Sequence, residues 1–277
     1  GDPQQAIFGF AGSDDQSWTR IQEAIYPTVF PLSITYRCPQ SHVALARKLV
    51  PQLEAAPDAA QGHLEVLSPT DIKHRTRPGD LILCRFTAPL IGLCLKLVIH
   101  SGIPAKVRGR DLCSMLVTLA KTVAVRASGD LSHAFPDTFL PALRAHVQRK
   151  VAIYEKDGKT SAIESILDRS LALEYCFDAF GSQCQRFDDF CRRIERLFDD
   201  EAPLTSHVIL ATIHRAKGDE ADRVFLLKTD SMPATFLAEK DWQIQQEHNL
   251  LYVALTRSKG SLFLVLSPRR VSNWNLF

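Results

Sequence analysis

Hydrophobic positions recur along the chain in two rhythms. Between residues 15 and 26, Trp18, Ile21, Ala24 and Ile25 fall at the spacing of one helix face, with Asp14 or Asp15 ahead of them as a cap. Pro27 and Pro31 end that helix. Residues 32–35 are a short strand candidate. Pro39 and Ser41 open a second helix, predicted through Leu53, with Val43, Leu45, Ala46, Leu49 and Val50 on its apolar face. A loop rich in Pro, Ala, Asp and Gly follows to Gly62. Residues 63–67 and 80–85 then read as strands. The second is continuously apolar at its centre, as a strand covered on both faces must be. A helix over 89–101, closed by Gly102, leads to another strand at 104–108. Strand, helix, strand is the alternation of α/β architecture.

The rhythm changes near Leu112. From there to about Asp200 the spacing predicts mainly helices and no buried strand. Phe177, Phe180, Phe187, Phe190, Ile194, Leu197 and Phe198 recur mostly at threes and fours, which marks a core-facing stripe. The strand pattern resumes at 207–211, 223–227 and 262–266. The middle segment therefore reads as a helical insertion in an α/β domain.

Composition narrows this picture only a little. The chain has 277 residues, 45% hydrophobic and 23% charged, with a formal net charge of +2. Those values fit a soluble globular protein and neither require nor exclude nucleic-acid binding through local patches. No apolar run approaches the roughly 18 residues a membrane span needs, and no signal peptide is visible. The seven cysteines contain no C-x-x-C. Reduced thiols in a cytoplasmic protein are expected, with neither a disulfide framework nor a metal site.

Four segments carry candidate chemistry. In the first, Gly1 to Gly12, Gln5 follows a strand end, where it could bond a phosphate oxygen or orient a water; Phe10 could stack a base. The second is Thr35-Tyr36-Arg37-Cys38-Pro39. Arg37 suits a bidentate phosphate contact and Tyr36 a purine face, or else Arg37 sits in a surface ion pair beside a packed Tyr. The third, Ile209 to Glu220, runs a buried strand into Thr212, His214 and Lys217. Such groups suit a sugar–phosphate backbone, which takes most protein–DNA hydrogen bonds. The fourth is a helix over 247–255 that delivers Thr256 and Arg257 at its end. Arg257 there could stabilise a transferring phosphoryl group as an arginine finger, or pair with the last helix carbonyls.

In this order the four segments resemble motifs III, IV, V and VI of the UvrD/Rep superfamily 1 DNA helicases. The family patterns are G-D-x-x-Q-x-I-[YF]-x-F, x-Y-R, T-x-H-x-x-K-G-x-E and L-Y-V-A-x-T-R. The resemblance covers about residues 1–112 and 203–268 and is weak across the insertion. It implies a RecA-like P-loop NTPase second domain, a parallel sheet with flanking helices. The partition it implies is 1–30 as the remnant of a first RecA-like domain, 31–111 and 203–277 as the two halves of the second, and 112–202 as an accessory insertion.

The resemblance also implies an ATP-dependent 3′-to-5′ helicase that works on single-stranded DNA and duplex junctions. Gln5 would sense the γ-phosphate, Arg37 and Arg257 would reach it, Tyr36 would stack near the adenine, and Glu220 would contact the ribose. Phe10 would stack a DNA base, and Thr212 and His214 would touch the DNA backbone. Lys217 matches the family Lys. Three departures stand out: Ala11 where Arg is frequent, Asp219 where a hydrophobic residue is usual, and Ala221 where Phe is common.

The G-x-x-x-x-G-K-[ST] loop that cradles phosphates is absent. Gly158-Lys159-Thr160 is the nearest approach, but Ile153 stands where the earlier Gly would be. The chain also begins inside the first motif. The expectation is an N-terminally truncated helicase holding half of an ATP site, inactive alone. The phosphate loop and the Mg2+ ligands would lie in the first RecA-like domain. The competing expectation is a degenerate helicase-like module that binds DNA or protein without hydrolysis.

Overall fold

The computed structural model describes residues 2–9, 17–128 and 135–267. They form two compact units, Gly1–His74 with Ala216–Phe277, and Arg75–Arg215. In chain order the first unit opens with a 3-10 turn at Pro3–Gln5, α1 (Ser17–Ile25), β1 (Ile34–Thr35), α2 (Gln40–Ala46), β2 (Glu54–Ala55) and β3 (His63–Leu67). A single helical turn, α3 (Ile72–Arg75), leads on. The second unit holds β4 (Asp80–Cys84), α4 (Ala88–Leu95), β5 (Ala105–Val107), α5 (Arg110–Ser128), α6 (Phe139–Lys156), α7 (Thr160–Phe180), α8 (Phe187–Glu195) and β6 (Val208–Thr212). The chain then returns to the first unit with β7 (Ala221–Leu227), α9 (Asp241–Leu255) and β8 (Ser258–Val265).

In the first unit β8 lies between β3 and β7, and both pairings are parallel. Parallel neighbours need a crossover, and α9 supplies it between β7 and β8. Phe225 and Phe263 stack at 4.4 Å across that pair. In the second unit β6 lies between β4 and β5, again in parallel. All five residues of β4 and of β6 are buried, as the unbroken apolar sequence requires. The α/β class with parallel strands and flanking helices is thus what the residues form.

The helices of the second unit follow the predicted stripe. Phe180, Phe187, Phe190 and Ile194 are buried, and Phe139 and Phe177 stack at 5.6 Å. Asp168 of α7 accepts from the backbone N–H groups of Thr87 and Ala88 at 2.8 and 2.9 Å, so a helix of the insertion caps the N-terminus of α4.

Two expectations shift. The second helix ends at Ala46 rather than Leu53, because Pro51 removes a backbone donor and disfavours helix in the residue before it. The chain then forms β2, which pairs with β1 over two residues, too few for any periodicity to announce.

Candidate functional site

One cleft of the first unit, about 550 Å³, gathers Asp2, Gln5, Tyr36, Arg37, Glu220, Thr256 and Lys259. Tyr36, Arg37 and Cys38 line it from a bend that follows β1. Tyr36 is 83% exposed and Cys38 only 3%. Cys38 joins Val43, Ala46, Val50, Leu53 and Tyr252 in a buried cluster, and its thiol donates to the Thr256 carbonyl at 3.6 Å. Burial pushes the Cys38 thiol up and pushes Tyr252 up to about 12. Both are therefore neutral struts beneath the cleft, not reactive groups.

The cations of the cleft are already answered. Arg37 Nε lies 2.6 Å from one Glu220 carboxylate oxygen, and Lys259 Nζ lies 3.5 Å from the other. Glu220 thus bridges two positive groups on the cleft wall. Gly218 sets up this placement with φ +101, a conformation that side chains resist. Gln5 donates to the Asp2 carboxylate at 2.8 Å. The turn that carries Gln5 is tied to α9, where the Asn249 amide donates to the Pro3 and Ala6 carbonyls at 3.3 and 3.1 Å.

Arg257 behaves differently from Arg37. It is 2% exposed. Its Nε donates to the Val253 carbonyl at 2.9 Å and its Nη1 to the Asp219 carbonyl at 3.3 Å. Burial lowers it from its ordinary value, and the Arg37 charge adds to that. An Arg remains charged even so. The Asp219 contact uses a backbone oxygen, so the departure from the family pattern at that side chain leaves the bond intact.

The remaining sequence candidates divide. Lys217 donates to the Gln5 carbonyl at 2.8 Å and lies over the Phe8 ring at 5.3 Å. Thr212 and His214 belong to the second unit, at the C-terminal end of β6. Thr212 is buried at 8% exposure, facing Cys84 in the strand register. His214 is partly accessible, yet desolvation and the nearby Arg85 charge push its pKa down to about 3. Phe10 lies outside the described residues. Lys259 is the group that sequence reasoning passed over; its place two residues beyond the motif arginine was the available signal. No group of three or more His, Cys, Asp or Glu side chains that could hold a metal is found among the described residues.

Residues 160–269 match the UvrD-like helicase C-terminal domain family. The chain is also similar to an F-box DNA helicase protein of Schizosaccharomyces pombe, 36% identical over 118 residues, which covers 40% of this chain and 13% of the relative. A probable DNA helicase II homolog of Mycoplasma capricolum is 29% identical over 126 residues, covering 44% of this chain and 18% of that protein. The matched stretch is thus under a fifth of either relative. Thr212, His214, Lys217, Glu220, Arg257 and Lys259 lie inside the UvrD-like segment, whereas Gln5, Tyr36 and Arg37 precede it. No described helix is long and apolar enough to cross a membrane.

Proposed function

We propose that this chain is the nucleotide-facing C-terminal part of an ATP-dependent 3′-to-5′ DNA helicase or translocase. The observation that carries the reading is the cleft holding Gln5, Tyr36, Arg37, Glu220 and Lys259 together. Two cations, a Gln amide and an exposed aromatic ring are a donor set for a polyphosphate attached to a base. The cleft falls within the roughly 300–1,000 Å³ usual for ligand sites.

When bound, ATP with Mg2+ would supply the phosphoryl group whose transfer drives movement. This chain's residues would bind and orient it. Arg37 and Lys259 hold phosphate oxygens, and Arg257 adds positive charge from beneath. Tyr36 offers its face to the base, and Gln5 holds a phosphate oxygen or a water. Glu220 gives up its two cations and accepts from ribose hydroxyls instead. The donor set does not fit Mg2+, since Asp2 and Glu220 are the cleft's two carboxylates and each is engaged by a side chain of this unit. Metal ligands belong to the partner domain, a first RecA-like domain, in this scheme. Contacts to single-stranded DNA would come from Thr212 and His214 in the second unit and, separately, from Lys217 in the first.

A second reading, a DNA- or protein-binding module without hydrolysis, draws support from Arg257, whose guanidinium is engaged on two carbonyls. Arg37 separates the two readings, because it is half-exposed and its removal leaves no buried group stranded. In the intact protein, Arg37→Ala should lower DNA-stimulated ATPase on the order of 10³-fold with an unchanged melting temperature. A rate within about twofold of wild type, on the scale of a surface charge change, would refute the phosphate role.

A further inference from the structure

A second cleft, about 420 Å³, lies among α5, α6 and α7 and is separate from the nucleotide-facing one. Its lining follows helical spacing. Met115, Leu119, Thr122 and Arg126 share one face of α5, His146 and Lys150 one face of α6, and Ile166 and Arg169 one face of α7. The floor is aliphatic, made by Met115, Leu119 and Ile166. The rim carries Arg126, Lys150 and Arg169. No Asp or Glu among the described residues lines it.

His146 is buried beneath this rim. Arg126 Nη1 lies 3.4 Å from His146 Nδ1, and since Arg can only donate, that ring nitrogen accepts. Desolvation, then the charges of Arg126, Lys150 and Arg149, hold His146 below its ordinary value. The imidazole is neutral and serves to orient Arg126. Three like charges held around one opening repel each other, and the lining supplies no carboxylate to offset that.

We infer that this cleft docks an acidic, aliphatic segment of a partner protein, with carboxylates on the three cations and a leucine-like side chain on the floor. Charge complementarity selects an acidic partner. The floor selects an aliphatic one over a nucleotide. It offers no Phe, Tyr or Trp ring to stack a base, the one lining imidazole, His146, is buried and turned to Arg126, and the Ser114 and Thr122 hydroxyls donate to helix carbonyls at 2.9 and 2.8 Å. A helix-lined groove taking an apolar side chain flanked by charges is a known mode of peptide recognition.

The test exploits the chain's two methionines, Met115 in the cleft and Met232 in the other unit. With methyl-labelled methionine in the whole chain, a fluorescein-labelled peptide of alternating Asp and Leu should move the Met115 resonance and leave Met232 in place. The same peptide with Asn for Asp should move neither. Arg126→Gln with Arg169→Gln should weaken binding by roughly tenfold or more, read by fluorescence anisotropy, with the melting curve confirming a folded protein. Binding that survives the double substitution would overturn the proposal, as would a Met115 signal that the peptide leaves unmoved. Pyrophosphate or an oligothymidylate that shifts Met115 at lower concentration than the peptide would also overturn it, in favour of a phosphate ligand.

Discussion

Arg37 and Lys259 share the carboxylate of Glu220, whereas Arg126, Lys150 and Arg169 line a cleft to which no described Asp or Glu contributes. The Glu220 cleft answers positive charge internally, with a carboxylate for its exposed cations and backbone carbonyls for buried Arg257. Two imidazoles of the second unit are held neutral, His214 by desolvation and Arg85, His146 by desolvation and three cations. An internally answered site is masked, and a ligand must displace what is there. An unanswered one is open, and its ligand supplies the missing charge. The same residue types therefore lead to different binding behaviour.

The contrast breaks most visibly at Arg257. Arg257→Ala removes a buried side chain together with its bonds to the Val253 and Asp219 carbonyls and leaves a void, and should lower stability by about 3 kcal/mol. Arg169→Ala, on the open rim, should change stability by less than about 0.5 kcal/mol. Thermal unfolding of the two variants measures the difference, and similar losses would mean that the two clefts do not differ in this way.

Next in size is the response to acid. His214 is held at about 3 when folded, against roughly 6.5 in an unfolded chain. Between those values the unfolded state binds a proton that the folded state refuses. This contribution to stability is therefore complete above about pH 6.5 and is lost as pH falls toward 3. Discounted for partial exposure, the loss attributable to His214 between pH 7 and pH 5 should be about 1 kcal/mol. His214→Asn should flatten the pH profile of melting by that amount relative to wild type. Parallel profiles would show that the imidazole is not held neutral.

The smallest effect probes the mask itself. Glu220→Gln frees Arg37 and Lys259 without removing atoms, so pyrophosphate should bind the chain about threefold tighter, in keeping with the modest worth of exposed ion pairs. Calorimetric titration reads this. Weaker binding would mean that Glu220 helps to hold the anion and does not cover its site. Pyrophosphate has no ribose, so any hydrogen bond from Glu220 to a sugar stays out of the comparison.

Much of this was legible in the sequence for a physical reason. The fully buried strands β4 and β6 are unbroken apolar runs, and the helix stripe Phe180–Phe187–Phe190–Ile194 has a period. The ordered motifs located Gln5, Tyr36, Arg37 and Glu220, which do meet in one cleft. For Arg37 and Arg257 the sequence left two uses open, and the structure shows the plain use in both cases, an ion pair for one and a helix carbonyl for the other. No periodicity encodes which carboxylate will lie beside which cation, because Glu220 and Arg37 are brought together only by the fold, across a long span of chain. The cleft among α5, α6 and α7 was equally invisible, since its lining is drawn from three helices and each contributes only a few of the residues.

Both amide hydrogens of Asn249 are given to the turn that carries Gln5, and the same helix ends six residues before Ser261 with Arg257 at its exit. Turn and helix are consequently one mechanical part. Two hydrogen bonds hold residues 3–6 against the helix, so a displacement of that turn pulls on α9. Asn249 is thus a coupling pin, and loosening it would let the turn move while the helix stays still.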